Sequence, residues 1–323
     1  LRPLHRADPA RSVVVETALT MNLLSLIPPV LALILSPLLL GVINRVKARF
    51  AGRRGPPLLQ VYYDLAKLLR KGAVYSRTTT WVFRAGPVVG LAAVLTALCL
   101  MPLGGVPALW KFPGDFILLT GLLGLMRFAM VGAALDTGSS FEGMGASREV
   151  WISALAEPAL LVALATLARQ AQELSLTRIC AALSEQHWLH TGPVLALVVV
   201  ALGLVLLAEN ARIPVDDPNT HLELTMIHEV MVLDHGGPDF AFILYGAALK
   251  LWLFAALVTG MVIPAGSLSP WPNLVAGLGG VFLVAIGVGV VESVMARLRL
   301  LIVPQLLVGA GALAATAFLL GLK

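Results

Sequence analysis

Charged side chains interrupt several of the long apolar runs in this sequence. Arg127, Glu157 and Lys250 fall inside such runs, and Glu209 and Glu292 stand at the ends of two others. A charge in apolar surroundings is costly, and within a membrane it usually marks an ion pathway or an ion pair. We therefore predict a proton-relay or coupling role for these residues. In the alternative, they only fix helix packing as buried pairs: Arg127 with Glu157, or Lys250 with Glu292.

The composition of the chain indicates which solvent surrounds these charges. Of its 323 residues, 58% are hydrophobic and only 13% are charged, whereas about a quarter of a soluble domain is charged. Lipid must therefore replace water around much of the surface. Helices satisfy their own backbone hydrogen bonds in lipid, so the fold class is all-α, a polytopic transmembrane bundle.

About eight spans are expected. A bilayer core about 30 Å thick needs roughly 20 apolar residues in a helix. The segments that fit are Leu23–Ile43, Ala85–Leu103, Phe116–Leu135, Val150–Leu167, Val194–Ala208, Phe240–Ile263, Leu274–Val291 and Leu300–Leu320. Met21 opens the first apolar run directly, so residues 1–20 are treated as an N-terminal extension and 21–323 as a single membrane domain.

A further, amphipathic helix is predicted after the first span. Leucine, tyrosine and alanine follow helical spacing there, with charged residues on the remaining surface. The apolar positions are Leu58, Leu59, Tyr62, Leu65, Ala66 and Leu69, and the charged ones are Asp64, Lys67, Arg70 and Lys71. Such a helix lies in the membrane interface, facing lipid or a partner protein.

The loops differ in their content of lysine and arginine. Ten basic residues lie between Asn44 and Arg84, which predicts that this side faces the cytoplasm. The chain is then a multi-pass protein of the cytoplasmic (inner) membrane. From that side, Glu157, Arg127 and Lys250 lie roughly 10, 12 and 15 Å deep at about 1.5 Å per residue. This pattern predicts a polar funnel that opens inward.

The loop from Glu209 to Asp239 is rich in acids and histidines, and Pro214 and Pro218 favour extended backbone in it. Three interpretations compete: a solvated connector, a metal site, and a surface for docking and proton access. The metal site would use His221 and His228, but their spacing matches no specific ligand template. The docking interpretation assigns the surface to Arg212, Asp216, Asp217, His221, Glu223, His228 and Glu229.

The two cysteines, Cys99 and Cys180, are far apart and form no C-x-x-C pattern. They do not make a metal or iron–sulfur site. We therefore expect no catalytic residue, metal or other cofactor in this chain, and any redox centre would belong to a partner.

The acidic loop also carries a family resemblance. Residues 208–224 fit the pattern A-E-x-x-R-x-P-x-D-x-P-x-x-x-x-E-L of the subunit 1 family of respiratory complex I. The stretch 55–60 resembles that family's first cytoplasmic loop. Residues 136–149 and 227–235 resemble the branch found in membrane-bound nickel–iron hydrogenases of the formate hydrogenlyase type. Glu157 falls where the family keeps an intramembrane acid, and Glu142 joins the coupling candidates.

The resemblance implies a subunit that docks a hydrophilic arm and couples its redox chemistry to proton or sodium movement. Its expected partners are a large subunit with the nickel–iron centre, a small subunit with iron–sulfur clusters, and antiporter-like membrane subunits. No nucleic acid is expected. After Pro218 this chain has Asn219 and His221 where quinone-reducing relatives usually have glutamates, which makes a quinone site less favoured.

Two other functions remain open. In the first, the chain is the quinone-site subunit of an NADH dehydrogenase. In the second, it is a stand-alone secondary transporter. Transporters often contain matching broken segments in two halves, and no such pair is evident here. As an oxidoreductase subunit, the chain is not expected to be an enzyme by itself.

Overall fold

The computed structural model describes residues 23–216, 226–264 and 269–322, and in these ranges the chain forms α-helices without a β-strand. Short 3-10 helices cover Leu23–Leu26 and Glu229–Val232. The α-helices are α1 (Ile27–Phe50), α2 (Gln60–Leu69), α3 (Trp81–Leu98), α4 (Asp115–Asp136), α5 (Ser140–Ala171), α6 (Leu176–Ala182), α7 (Glu185–Glu209), α8 (Gly237–Val262), α9 (Pro270–Val294) and α10 (Val303–Leu320).

Within the described residues, eight helices are long and apolar enough to cross a membrane, namely all except α2 and α6. This confirms the predicted bundle of eight spans with an amphipathic helix. Two helices begin before the predicted spans: α5 begins at Ser140, and α7 begins at Glu185 but is kinked at Thr191, three residues before the predicted span start at Val194. A helix continues wherever its backbone hydrogen bonds continue, so hydropathy alone does not mark its end.

Helix α8 occupies the centre of the bundle and packs against α1, α2, α3, α7 and α9. Helix α10 packs against α5 and α7 on another side. Helices α3 and α4 approach closely where Gly86 meets Ala129 and Ala133, because a side chain at Gly86 would collide with both. Small residues permit such close approach between membrane helices.

Two tyrosines tie neighbouring helices to α1 near its internal proline, Pro37. A proline inside a helix has no N–H for the carbonyl four residues earlier, which here is that of Leu33. The Tyr245 hydroxyl of α8 donates to this carbonyl at 2.8 Å, and the Tyr62 hydroxyl of α2 donates to the carbonyl of Ile34 at 2.5 Å. The amphipathic helix is thereby attached to the bundle.

Asp136, in the stretch that resembles the hydrogenase branch, has a structural role at the end of α4. Its carboxylate accepts hydrogen bonds from the backbone N–H groups of Thr80 at 2.6 Å and Phe83 at 3.2 Å, and from the Thr80 hydroxyl at 2.8 Å. It therefore satisfies N–H groups at the start of α3 that lack partners within the helix. This contact aligns the inner ends of α3 and α4, where "inner" denotes the predicted cytoplasmic side.

Candidate functional site

Arg127 of α4 lies at the centre of a buried ionic cluster. Its guanidinium donates through Nε to Glu149 at 3.2 Å, through a second nitrogen to Glu157, and through the third to Glu209 at 2.5 Å. Glu149 and Glu157 lie on α5 and Glu209 ends α7, so one cation links three helices. The Arg127 side chain is 7% exposed, which makes the loss of any partner costly.

Lys250 of α8 completes the cluster. Its Nζ lies 2.8 Å from Glu209 Oε2, and both side chains are buried. The predicted pair Arg127–Glu157 is therefore present, whereas the predicted pair Lys250–Glu292 is wrong. Sequence gives the depth of a residue in a span, but packing sets the rotation of each helix about its axis, and that rotation decides which charges meet. We call Arg127, Glu149, Glu157, Glu209 and Lys250 the Arg127 cluster.

Glu292 belongs to a separate ionic group. Its carboxylate lies 2.9 Å from Lys47 Nζ of α1 and 3.4 Å from an Arg212 terminal nitrogen. The Glu292 side chain is fully buried in this contact. It therefore attaches α9 to α1 and to the start of the loop that follows α7.

The charges of the Arg127 cluster do not balance when all of its carboxylates are ionised. Three carboxylates face two cations, which leaves one excess negative charge in a buried site. An uncompensated charge in a low-dielectric interior is strongly unfavourable. The arrangement therefore favours one additional positive charge, either as a proton or as a nearby cation.

His228 supplies a cation next to the cluster. Its Nε2 lies 3.1 Å from Glu149 Oε2, and its Nδ1 lies 3.9 Å from Asp216 Oδ2. Asp216 is buried and also accepts from the backbone N–H groups of Ile227 and His228, at 3.1 and 3.2 Å, and from Arg297 at 2.8 Å. These contacts connect the cluster to the loop between α7 and α8 and to the segment before α10.

The pKa values of His228 and Asp216 both differ from those of the free side chains. Burial works against the charged form of His228, but the carboxylates of Glu149 and Asp216 outweigh it and raise the pKa of His228 to about 9. Burial also acts on Asp216, yet its hydrogen bond and charge interaction with His228, together with Arg297, lower the pKa of Asp216. His228 is therefore charged at neutral pH, and its charge balances the excess of the Arg127 cluster.

Several predicted docking residues point inward instead of forming an open surface. Arg212, Asp216 and His228 are held in the ion pairs described above, and Glu229 lies in the short helix Glu229–Val232. Three others lie outside the described residues: Asp217, His221 and Glu223.

Glu142 does not join the Arg127 cluster. It is buried near the start of α5, where its carboxylate accepts from the backbone N–H of Asp234 at 3.1 Å. It lies about two turns from Glu149, or roughly 10 Å along the helix. The contact with Asp234 attaches the loop before α8 to α5.

Glu149 is the site residue that sequence reasoning missed. It lies at the end of the stretch 136–149 that resembles the hydrogenase branch, one residue before the predicted span, which begins at Val150. Its signal was the distance to Glu157: eight residues are about two helical turns, so both acids fall near the same face of α5.

The Arg127 cluster is partly exposed on one side of the bundle, and buried apolar residues cover it on its outer side. The Glu157 side chain is 41% exposed in the isolated chain, whereas those of Glu149 and Glu209 are 6% and 3% exposed. Beyond Lys250, every residue of α8 from Leu251 to Val258 is buried and apolar, a length of roughly 12 Å. The ionic contacts of α8 within the Arg127 cluster therefore lie in the inner half of the bundle.

This architecture defines a multi-pass helical membrane protein with an ionic cluster in one half of its bundle. The model of the NADH dehydrogenase family, which is the subunit 1 family of respiratory complex I, matches residues 21–320. The chain therefore belongs to this family, as the motifs of the acidic loop predict.

Its relatives include subunits of hydrogenase complexes. Formate hydrogenlyase subunit 4 of Escherichia coli is 33% identical over 291 residues, which cover 87% of this chain and 93% of that protein. Hydrogenase-4 component C of the same organism is 31% identical over 280 residues, or 85% and 87% of the two chains. A chain of the archaeal membrane-bound sulfane sulfur reductase, a respiratory membrane complex, has the same fold, with a TM-score of 0.80 at 22% identity over 93% of this chain and 99% of that one.

The raised pKa of His228 predicts how stability depends on pH. Since the folded pKa of about 9 exceeds the ordinary 6.5, the charged ring stabilises the fold fully below pH 6.5, and this contribution is lost as the pH rises through 9. We expect the unfolding temperature in detergent to fall between pH 6.5 and 9 more steeply for the wild type than for His228→Gln. Equal slopes for the two proteins would show that the ring carries no such charge.

Proposed function

We propose that this chain is the membrane-embedded docking subunit of a nickel–iron hydrogenase complex of the formate hydrogenlyase type, and that it couples redox chemistry to proton or sodium movement. The observation that carries the proposal is the Arg127 cluster, a buried ionic group whose excess negative charge is balanced by His228, which connects it to the inner loops. Identity of 33% and 31% to two hydrogenase-complex subunits supports the assignment to this branch.

The inner surface supplies the features for docking. Exposed basic residues surround α2 and the loop before it, and exposed Leu233 and Asp234 lie near the start of α8. The basic residues are Arg53, Arg54, Lys67, Arg70 and Lys71. Complementary charges orient a partner and fix its register. On this proposal the small subunit with its iron–sulfur clusters sits on this surface, and the large subunit with the nickel–iron centre lies beyond it.

Coupling would act through charge balance. When electron transfer changes the charge of a partner above the inner loops, the most favourable position of a proton in the buried group changes as well. Arg127 contacts all three carboxylates of the Arg127 cluster. A small shift of its guanidinium therefore moves its positive charge away from one carboxylate and toward another. A proton, or a sodium ion in its place, then occupies the acid that has lost its partner.

Removing one acid tests this proposal. We expect Glu209→Gln or Glu157→Gln to leave the complex assembled but to reduce coupled ion movement roughly tenfold or more, because the amide keeps the shape but cannot carry a proton. The measurement is donor-driven hydrogen turnover together with ion uptake in proteoliposomes. Glu173→Gln is the matched control, since Glu173 is exposed and forms an ion pair with the exposed Arg178 at 3.5 Å, away from the Arg127 cluster. Unchanged coupling in both buried variants, with normal complex levels, would contradict the proposal.

A second membrane protein is expected to cover the open side of the Arg127 cluster. Glu157 is partly exposed there and its carboxylate lies beside Gly124 of α4, and Leu125 and Phe128 of α4 and Leu161 of α5 are also exposed. A carboxylate facing lipid is unfavourable, whereas an antiporter-like subunit with a polar group would satisfy it. We propose that this face is the lateral interface through which the ion continues.

Cross-linking distinguishes a protein neighbour from lipid at this face. In the intact complex, a photoreactive cross-linker on Phe128→Cys should capture a membrane subunit. Leu283→Cys is the control, because Leu283 is equally apolar and 66% exposed but lies on α9, which packs against α1 and α8 instead. If a membrane subunit is captured from the cysteine at position 283 but not from that at position 128, the partner lies against α9 and not against the open side of the Arg127 cluster.

Membership of the NADH dehydrogenase family favours one alternative, the quinone-site subunit of an NADH dehydrogenase. A competition assay separates the two functions. A hydrogenase of the formate-coupled kind should keep its turnover when a quinone-site inhibitor is added, whereas a quinone reductase should lose it with saturable dependence on inhibitor concentration. Saturable inhibition of the purified complex would favour the alternative.

A further inference from the structure

We propose that His228 transfers protons between Asp216 in the inner loop and Glu149 in the Arg127 cluster. This inference rests on the proposed coupling function and names the residue by which the buried cluster exchanges protons with the aqueous side. His228 was predicted from sequence only as part of a docking surface, and its place between two carboxylates assigns it a different task.

The ring of His228 lies between two carboxylates, with one of its nitrogens toward each. Nε2 lies within hydrogen-bond distance of Glu149 Oε2, at 3.1 Å. Nδ1 lies 3.9 Å from Asp216 Oδ2, which is too long for a direct hydrogen bond, so transfer on that side requires a small rotation of the ring or one bridging water. Imidazole is suited to this position because it can bind or release a proton at either nitrogen.

His228 is the most exposed group along this line. Its side chain is 26% exposed, whereas those of Asp216, Glu149 and Arg127 are 3%, 6% and 7% exposed. The ring can therefore reach water, but the two cluster residues cannot do so directly. A proton that enters the Arg127 cluster from the loop must pass a group with access to both environments, and His228 meets that requirement.

The transfer step balances in charge and in atoms. The Nε2–H bond of the imidazolium breaks and an O–H bond forms on Glu149, which leaves a neutral ring with its remaining proton on Nδ1. Rotation of the ring then brings Nε2 toward Asp216, and the ring, which is itself partly exposed, takes up the next proton there from Asp216 or from water. The total charge of the Arg127 cluster with His228 is unchanged by the first step, so no net charge is created in the buried site.

The groups that face His228 explain why the step can be driven in both directions. Glu149 faces it from α5, Asp216 faces it from the loop with Arg297 behind it, and Arg127 lies on the far side of Glu149. When Arg127 contacts Glu149, the acid stays ionised and the proton stays on the ring. When Arg127 shifts toward Glu157 or Glu209, Glu149 loses its cation and accepts the proton.

Two substitutions at one position separate proton transfer from a static charge. His228→Gln removes both the charge and the relay, whereas His228→Lys keeps a cation between the two carboxylates but retains its proton at neutral pH. In the intact complex in proteoliposomes, we expect both variants to lose coupled ion movement roughly tenfold or more. His235→Gln is the matched control, because the His235 ring is also buried in this loop but stacks on Phe83 at 3.9 Å between centroids.

Measuring the Glu209→Gln variant in parallel separates a failure of the proposed relay from a failure of the proposed function. Full coupling in the Lys variant would overturn the inference, since a fixed charge would then suffice, and full coupling in the Gln variant would overturn it as well. If Glu209→Gln loses coupling while both His228 variants keep it, the proposed function stands and only the relay is wrong. If Glu209→Gln and Glu157→Gln both keep coupling at normal complex levels, the proposed function itself fails. Should the Gln variant not assemble, the Lys variant decides alone.

Discussion

The shared guanidinium of Arg127 is the interaction on which the interior of this protein depends. One cation contacts carboxylates from two other helices, and Lys250 adds a third helix through Glu209. In a low-dielectric interior these charges stabilise the bundle only as a group, because each is strongly unfavourable without its partners. The relative rotation of α4, α5, α7 and α8 is therefore coupled to the ionic contacts, and a change in protonation has a direct route to a change in helix packing.

The position of the ionic groups divides the bundle into two halves. The Arg127 cluster, the pairs of Glu292 and the bridge through His228 all lie toward the inner loops. The outer continuation of α8 is a run of buried apolar residues from Leu251 to Val258. Such a division suits a subunit that receives a signal on one face and passes it sideways, since the partly exposed Glu157 gives the cluster its lateral opening.

The loop between α7 and α8 joins the surface to this interior. Asp216 accepts from the loop backbone and from Arg297, and Leu298 N–H donates to the carbonyl of Pro214 at 2.9 Å. Glu142 holds the end of the same loop through Asp234. A redox partner seated on this loop would therefore contact a segment whose buried acids and histidine are already joined to the Arg127 cluster. Docking and proton transfer need not occupy different parts of the chain.

Sequence alone determined the class of fold, the number of spans and the family. Apolar runs of membrane length require helices, and charges inside or at the ends of those runs identified Arg127, Glu209 and Lys250 as interior groups, with Glu157 at the open edge of the same cluster. Local patterns carry this information because length and hydropathy are properties of each segment by itself.

Only the tertiary structure decided which charges meet. It paired Lys250 with Glu209 and Glu292 with Lys47, it added Glu149, and it turned His228 from an expected surface residue into a bridge. The physical reason is that ion pairing depends on the rotation and contact of helices far apart in sequence, and the packing of the whole bundle sets that rotation.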